Sequence, residues 1–247
     1  MNPFLAEFLG TAILILLGNG VVANVLLRET KGHGAGWITI CTGWGFAVFV
    51  AVLCVKDFSG AHINPAVTIG LAVARKFDWG QVPGFILAQM AGAIVGATLV
   101  YVFYKPHYEA TGDPDLKLAT FCTAPSIRAL PFNFFSEVTA TFVLVFAVLQ
   151  MTEPVFTLDG EAASQQIPVG LGSIGALPVG LIVFAIGLSL GGTTGYAINP
   201  ARDLGPRIAH SLLPVHDKRD SDWGYAPIPV AGPIVGGILA ALLYLVE

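Results

Sequence analysis

Gly60-Ala61-His62-Ile63-Asn64-Pro65-Ala66 is matched later in the chain by Gly195-Tyr196-Ala197-Ile198-Asn199-Pro200-Ala201. The two segments share Gly, Ile, Asn, Pro and Ala at corresponding positions, and each contains an Asn-Pro-Ala triplet. A fixed spacing that aligns two segments residue by residue is the signature of an internal repeat. We therefore infer that the chain is built from two related halves, and that each half contains one such segment.

The composition places most of the protein surface in lipid. Of the 247 residues, 55% are hydrophobic and 11% are charged, whereas a soluble domain carries about 25% charged residues. Apolar runs long enough to cross hydrocarbon, at about 1.5 Å per residue, are candidate transmembrane helices. These runs lie near Pro3–Leu27, Trp37–Val55, Val82–Tyr104, Asn133–Met151, Pro168–Leu190 and Pro227–Val246. The sequence thus predicts an all-α membrane protein with six transmembrane helices, the first of which carries Glu7 and is not expected to be a cleaved signal peptide.

Each half contains three of these runs and one Asn-Pro-Ala segment, so the halves must cross the membrane in opposite senses as an inverted repeat. Residues 1–247 are predicted to form a single domain. Its parts are a first repeat at 1–104, a connecting loop at 105–132 and a second repeat at 133–247, which contains a linker at 152–167. Gly92 and Gly96 match Gly232 and Gly236, and these small residues predict close helix packing.

The segments after the two triplets are predicted to be re-entrant half-helices, at 65–74 and 200–210. Each is too short to span a bilayer and too apolar for a loop in water. Asn64 and Asn199 are good N-cap residues, and Pro65 and Pro200 suit the first helical position because proline has no N–H to leave unpaired there. Irregular backbone at membrane depth is tolerated where it lines a polar cavity or is buried in protein.

In an inverted repeat the two half-helices enter from opposite faces, so their N-termini meet near the midplane. Each N-terminus carries roughly half a positive charge, so the junction repels cations, including hydronium. The amides of Asn64 and Asn199 can donate to a solute oxygen there. The preceding extended stretches can present backbone carbonyls to the same path, and the candidates are Gly60, Ala61, His62, Gly195, Tyr196 and Ala197.

These residues closely resemble the major intrinsic proteins, or aquaporins, over nearly the whole chain. The stretches 59–68 and 199–203, with Asn64-Pro65-Ala66 and Asn199-Pro200-Ala201, carry the resemblance. It implies the aquaporin fold, a passive channel in the cell (plasma or inner) membrane, cytoplasmic termini and a homotetramer with one pore per subunit. It also implies that Glu7 and Glu137 accept hydrogen bonds from the backbone before each triplet, rather than forming a proton relay.

The resemblance further implies a narrow ring in the outer half of the pore, formed by Trp44, Gly187, Tyr196 and Arg202. An arginine there donates to solute hydroxyls and repels cations, while aromatic rings offer an apolar wall to a CH backbone. Water-selective relatives place His where this chain has Gly187 and lack an acidic residue at the position of Asp203. Both residues thus resemble the glycerol-conducting branch, the aquaglyceroporins, and Asp203 is expected to have a structural supporting role.

The expected solutes are glycerol and water, with urea and protonated small acids as open candidates. Tyr196 departs from the Phe usual in the glycerol branch, so a water-selective channel whose ring is narrowed by the added hydroxyl stays an alternative. A second alternative is an ion-coupled transporter, which also uses inverted repeats and broken helices but needs carboxylates at its ion site.

No sequence feature supports an enzyme, a cofactor, a metal site or a nucleic-acid partner. Nucleophile elbows, His-Glu-x-x-His runs and phosphate loops are missing from the sequence, and Cys41, Cys54 and Cys122 lack metal-ligand spacing. The net charge is −4, without a basic cluster.

The distribution of basic residues argues against cytoplasmic termini, because cytoplasmic loops usually hold the excess of Lys and Arg. The predicted inner loops hold Lys56, Arg75 and Lys76, and the predicted outer loops hold Arg28, Lys31, Lys105, Lys117, Arg128, Arg207, Lys218 and Arg219.

Overall fold

The structure is a computed structural model, and it describes residues 1–152, 154–159 and 164–246. The α-helices in this part of the chain are α1 (Pro3–Leu26), α2 (Trp37–Ser59), α3 (Pro65–Val73), α4 (Val82–Phe103), α5 (Lys105–Ala110), α6 (Pro114–Ala119), α7 (Leu130–Leu149), α8 (Leu177–Leu190), α9 (Pro200–Leu212) and α10 (Pro227–Tyr244). Short 3-10 turns at Trp79–Gln81 and Gly172–Ala176 precede α4 and α8.

The predicted six spans are confirmed: within the described residues, 6 helices are long and apolar enough to cross a membrane. They comprise α1, α2, α4 with its 3-10 turn, α7, α8 with its 3-10 turn, and α10. The protein is therefore an integral, multi-pass membrane protein. The ends of the spans differ from the predicted runs. The fifth span begins at Gly172, in the 3-10 turn before α8, rather than at Pro168. The α7 helix begins at Leu130 rather than Asn133 because Pro131 suits the first turn of a helix.

The two short helices α3 and α9 begin at Pro65 and Pro200, as predicted, and end at Val73 and Leu212 instead of 74 and 210. In both, the preceding asparagine is the N-cap, and its side chain accepts a hydrogen bond from the second residue of the helix. The α9 helix extends further because Lys218 Nζ donates to the carbonyls of His210, Ser211 and Leu213 at its C-terminus.

Glycines allow the spans to approach closely. A Cβ at Gly92 would lie 2.2 Å from the carbonyl oxygen of Phe8, and one at Gly236 would lie 2.3 Å from that of Val138. These contacts pack α4 on α1 and α10 on α7, which confirms the predicted role of the glycine pairs. Between α2 and α8, Gly45 and Gly180 play this part reciprocally, since a Cβ on either would crowd the other's carbonyl oxygen.

The connections contain more regular structure than the predicted loops. The segment 105–132 carries α5 and α6, and we call the side of the protein on which they lie the outer side. The predicted linker between α7 and α8 instead contains an antiparallel β-hairpin of β1 (Val155–Asp159) and β2 (Ser164–Pro168), in which Val155 pairs with Pro168.

Candidate functional site

The Asn-Pro-Ala segments meet at the centre of the molecule and are joined by reciprocal hydrogen bonds. Asn64 Nδ2 donates to the carbonyl oxygen of Ile198 at 2.8 Å, and Asn199 Nδ2 donates to that of Ile63 at 2.8 Å. The other end of each amide caps its own helix, through Ala66 N at 2.9 Å and Ala201 N at 3.0 Å. Each Nδ2 carries two hydrogens, so one N–H per asparagine stays available to a solute.

The backbone before each triplet adopts the left-handed region at residues that are not glycine. The φ angles are 52° at Ala61 and 42° at Ile63 in the first segment, and 36° at Tyr196 and 44° at Ile198 in the second. Such conformations cost free energy and persist where the surroundings hold them. The same unusual path thus occurs in both halves and must be held by specific contacts.

A buried glutamate from a transmembrane helix holds each of these segments. Glu7 in α1 accepts hydrogen bonds from His62 N at 2.9 Å and Ile63 N at 2.6 Å. Glu137 in α7 accepts them from Ala197 N at 3.0 Å and Ile198 N at 2.9 Å. Both glutamates are fully buried, and a carboxylate with several N–H donors suits such a position.

Side chains complete the coordination of the two carboxylates. Glu7 also accepts from Ser59 Oγ at 2.6 Å and Gln89 Nε2 at 2.7 Å, and Glu137 accepts from Thr194 Oγ1 at 2.6 Å. With the N–H groups of each segment turned toward a glutamate, carbonyl oxygens are left on the opposite side. Among the described residues no protein group donates to the six predicted carbonyls, which belong to residues 60–62 and 195–197.

Two cavities lie along one path through the molecule, one around the central junction and one on its outer side. The inner cavity, about 120 Å³, reaches from Val52 and Val179 past Asn64 and Asn199. The outer cavity, about 230 Å³, is lined by residues that include Thr123 and Gly195. The described residues that line both cavities are Trp44, Tyr196 and Arg202. We call the place where these three side chains meet the constriction.

The constriction has one polar and one apolar wall. The Arg202 guanidinium carbon lies 4.2 Å from the centroid of the Trp44 ring, a cation–π distance. Arg202 Nη1 donates to Phe121 O at 3.3 Å and Asn19 Oδ1 at 3.4 Å. Trp44 and Tyr196 are each about 4% exposed, and Arg202 is 7% exposed. A charged donor group therefore faces a narrow passage beside two aromatic rings.

Gly187, which is predicted to belong to the ring, is not among the described residues that line either cavity. The Tyr196 ring covers it: a Cβ at Gly187 would lie 2.8 Å from Tyr196 Cζ and 3.0 Å from Cys41 Sγ. The Tyr196 hydroxyl oxygen is buried there and lacks a hydrogen-bond partner among the described residues. The glycine thus provides the space into which the tyrosine ring fits, and the hydroxyl points away from the passage.

Comparison with known proteins is consistent with this geometry. The family described as Major intrinsic protein matches residues 1–244. The chain belongs to the major intrinsic protein family.

Several relatives resemble this major intrinsic protein over nearly their whole length. A probable glycerol uptake facilitator protein of Thermotoga maritima is 54% identical over 99% of this chain and 98% of its own. A D/L-lactic acid transporter of Lactiplantibacillus plantarum is 39% identical, over 98% and 95% of the two chains. The X-ray structure of the aquaglyceroporin from Plasmodium falciparum superposes with a TM-score of 0.80 at 32% identity, covering 98% of this chain and 94% of that one.

In this major intrinsic protein, Asp203 belongs to a buried ion pair that sequence reasoning missed. Arg207, which is also counted among the outer basic residues, lies within the predicted half-helix, in α9 and one turn beyond Asp203, and the two side chains are 2.8 Å apart and fully buried. Asp203 also accepts from Thr123 N and Oγ1, at 2.7 and 2.6 Å. Arg207 donates to the carbonyls of Thr123, Ser221 and Asp222. The pair ties the outer loops to the half-helix that carries Arg202.

Several outer basic residues, which argue against the expected orientation, have structural partners. Lys117 Nζ donates to His216 O at 2.6 Å, and Lys218 caps α9. Arg219 pairs with Asp115, and this hydrogen bond raises the pKa of the arginine. The loop architecture therefore accounts for a substantial part of the outer positive charge.

The inner cavity of this channel-family protein is lined mainly by aliphatic side chains, and no carboxylate is among its described lining residues. Across the described ranges, no cluster of three or more His, Cys, Asp or Glu residues is placed to hold a metal ion. Asn19, the Phe121 carbonyl and Cys41, which surround the constriction, were not singled out from sequence. Asn19, a polar residue in the middle of the first predicted span, was the available signal for the first of these.

Proposed function

We propose that the protein is a passive channel that carries glycerol and other small uncharged solutes, together with water, and excludes protons and ions. The observation that carries the proposal is the constriction, where two cavities meet between a guanidinium and two aromatic rings. The proposal takes residues 1–247 as one channel domain, with repeats at 1–104 and 133–247.

A polyol fits such a passage because it has hydroxyls along one edge and CH groups along the other. Arg202 donates to the hydroxyl oxygens, while Trp44 and Tyr196 contact the CH groups. Gly187 contributes to the width of the passage because Tyr196 packs into the space beside it. The carbonyls of residues 60–62 and 195–197 then accept hydrogen bonds from the moving hydroxyls, which compensates for lost water.

Protons and cations are excluded at two points. The guanidinium of Arg202 repels cations at the constriction. At the junction, the N-termini of α3 and α9 face the same cavity, and each contributes partial positive charge. A water held there by the free N–H groups of Asn64 and Asn199 accepts both bonds and directs its hydrogens outward on both sides. This arrangement interrupts a proton-conducting chain of water molecules.

The names of the relatives favour glycerol as the main solute. The relatives named as glycerol uptake facilitators include those of Thermotoga maritima and of Streptococcus pneumoniae, at 54% and 51% identity. The relative named as a D/L-lactic acid transporter, at 39%, extends the proposal to the protonated form of small hydroxy acids. Urea stays a candidate by size and neutrality alone.

The geometry disfavours both alternatives. A water-selective ring narrowed by Tyr196 would need the hydroxyl in the passage, but that oxygen is buried beside Cys41. An ion-coupled transporter would need carboxylates that an ion can reach. Glu7 and Glu137 are instead fully buried and accept hydrogen bonds from backbone N–H groups and neighbouring side chains.

The proposal includes a homotetramer in the cell membrane with cytoplasmic termini. These points rest on the family resemblance. Blue-native electrophoresis with crosslinking tests the tetramer, and a reporter fused to the C-terminus tests the orientation. A reporter that is active only on the outside would reverse the orientation and leave the channel itself intact.

Stopped-flow light scattering on proteoliposomes tests the function. Glycerol and water permeability are measured for the wild type, for Arg202→Ala and for Arg28→Ala, with an enclosed pH dye to measure proton leak. Arg28 is an exposed arginine at the end of α1 that lines neither cavity. We expect rapid glycerol flux without proton leak in the wild type and the Arg28 variant, and altered selectivity with increased leak in Arg202→Ala.

Each other outcome is informative. Water flux without glycerol flux in the wild type would favour the water-selective alternative. Absence of flux for both, unless an ion gradient is imposed, would contradict the channel and favour coupled transport.

A further inference from the structure

Two neighbouring residues of α1 lie directly behind the constriction. Gly18 faces the Trp44 ring: a Cβ at Gly18 would lie 2.3–2.5 Å from Trp44 Cζ3, Cε3 and Cη2. Asn19 faces Arg202 and is 1% exposed. Neither residue is among the described lining of the cavities. They touch the constriction from outside the pathway, so they can act on a solute only through Trp44 and Arg202.

Asn19 joins Arg202 to the outer loop in a closed set of hydrogen bonds. Its Nδ2 donates to Phe121 O at 2.9 Å, and its Oδ1 accepts from Arg202 Nη1 at 3.4 Å. Arg202 Nη1 also donates to Phe121 O at 3.3 Å. A carboxamide can donate and accept at the same time, whereas a carboxylate only accepts and an aliphatic side chain does neither. Asparagine is therefore suited to hold both groups.

The bonds are placed to fix the guanidinium. Nη1 donates to Asn19 and Phe121, and the guanidinium carbon lies over the Trp44 ring, 4.2 Å from its centroid. Arg202 Nη2 and Nε donate to no other described residue, so these donors are left for a solute. A buried amide in a lipid-embedded helix is costly without a role, and these contacts supply one.

We propose that Gly18 and Asn19 are a positioning pair that sets the solute specificity of the constriction. Asn19 fixes the orientation of Arg202, and Gly18 leaves the space into which the Trp44 ring packs. This inference rests on the proposed channel function. It assigns selectivity to residues outside the pore wall, in a helix that contributes none of the three constriction side chains.

Replacing either residue has a defined consequence. Asn19→Val removes the acceptor of Arg202 and the donor to Phe121 while keeping a similar volume, so the guanidinium loses its fixed direction. Gly18→Ala places a methyl group where the Trp44 ring now lies, so the ring must move toward Arg202 and narrow the passage. Glycerol, the larger solute, is affected more than water in both cases.

The chain offers matched controls within α1. A Cβ at Gly20 would have no neighbour within 4 Å, so Gly20→Ala is the control for Gly18→Ala. Asn24 accepts from Gly32 N at 3.2 Å and is not recorded in contact with Arg202, so Asn24→Val is the control for Asn19→Val. Gly20→Ala and Asn24→Val are expected to keep the wild-type ratio of glycerol to water permeability.

The experiment measures that ratio in proteoliposomes, normalised to the amount of folded protein. We expect Asn19→Val to lower the ratio by about threefold to tenfold, the factor that losing one hydrogen bond gives, and Gly18→Ala to lower it because the displaced Trp44 ring narrows the passage. Asn19→Asp keeps the acceptor for Arg202 but places a negative charge beside it. We expect this variant to raise proton leak above wild type, which a merely structural defect would not do.

Two failures are distinguishable. If the wild type itself carries no glycerol, the proposed function is wrong. If the wild type carries glycerol but folded Asn19→Val and Gly18→Ala keep its ratio, or if the two controls shift it equally, the positioning role is overturned. Should either variant fail to fold, Asn19→Asp decides, and a ratio and leak equal to wild type would overturn the role of Asn19.

Discussion

The two halves of the repeat hold their backbone in the same way but present different side chains to the pore. Glu7 and Glu137 bind matching N–H groups, and Asn64 and Asn199 exchange matching hydrogen bonds. Under the spacing that pairs the two asparagines, however, Trp44 corresponds to Val179, Tyr196 to Ala61 and Arg202 to Val67. These three small or aliphatic residues line the inner cavity. The two aromatic rings and the guanidinium of the constriction therefore have no aromatic or charged counterparts at the corresponding inner positions.

A second difference lies behind the pore wall. Asp203 and Arg207 form a buried ion pair in the second half, and the corresponding residues of the first half are Thr68 and Ala72. Thr68 is held instead by Gln89, whose Nε2 donates to its hydroxyl at 2.9 Å. The difference teaches that the frame of the fold is symmetric, while the charge proposed to select solutes and its support are confined to the α9 half-helix and the outer loops.

The largest expected effect comes from removing Arg207, the cation of the buried ion pair that the second half contains and that Thr68 and Ala72 replace in the first half. Arg207→Leu leaves Asp203 buried without its counter-ion and deprives the carbonyls of Thr123, Ser221 and Asp222 of a donor. We expect a loss of about 3–5 kcal/mol in the free energy of unfolding, as for other broken buried pairs. Thermal unfolding in detergent, monitored by size-exclusion chromatography, measures this loss.

Arg219→Ala is the matched control for that variant. It removes an outer arginine whose side chain is 38% exposed and whose partner, Asp115, is 69% exposed. Such surface pairs contribute about 0–1 kcal/mol. Similar losses for the two variants would contradict the idea that the second half depends on a buried charge.

An intermediate effect is expected at the junction, where the halves are alike. Asn64→Ala and Asn199→Ala each remove one bond between the halves and one helix cap. Each variant should lose about 1–2 kcal/mol of stability, and the two losses should be nearly equal. Thermal unfolding of both variants in the same detergent measures the difference in stability between them. A gap larger than about 1 kcal/mol, the size of one such bond, would show that the junction is not symmetric in energy.

The symmetric frame could be predicted from sequence, because its signals are local. The triplets, their N-cap asparagines and the apolar runs specify the half-helices and the six spans without knowledge of the tertiary fold. The glycine pairs likewise predicted the close contacts of α4 with α1 and of α10 with α7.

The features of the asymmetric outer side depended on contacts between distant segments. The half-helix that carries Arg207 was predicted, but the burial of Arg207 and its pairing with Asp203 emerge only when residues 121–123 and 221–222 fold over the half-helix. Asn19 is remote from Arg202 in sequence, and nothing local links them. The position of Gly187 behind Tyr196 also required the tertiary structure, because the sequence shows which residues are large or small but not which one covers the other.

The smallest expected effect concerns the hydroxyl that distinguishes Tyr196 from phenylalanine. If this oxygen narrowed the passage, Tyr196→Phe would raise glycerol permeability relative to water. The structure instead buries it beside Cys41, without a hydrogen-bond partner among the described residues. We therefore expect Tyr196→Phe to keep the permeability ratio and to change stability by no more than about 1 kcal/mol, because the substitution breaks no hydrogen bond to a described residue. Tyr196→Ala makes the outer position resemble Ala61 of the first half and should widen the passage. Proteoliposome flux of glycerol and of a larger polyol measures both. A clear change in the ratio for Tyr196→Phe would mean that the hydroxyl reaches the pathway, and the outer side would then owe its selectivity to one further polar group that the inner side lacks.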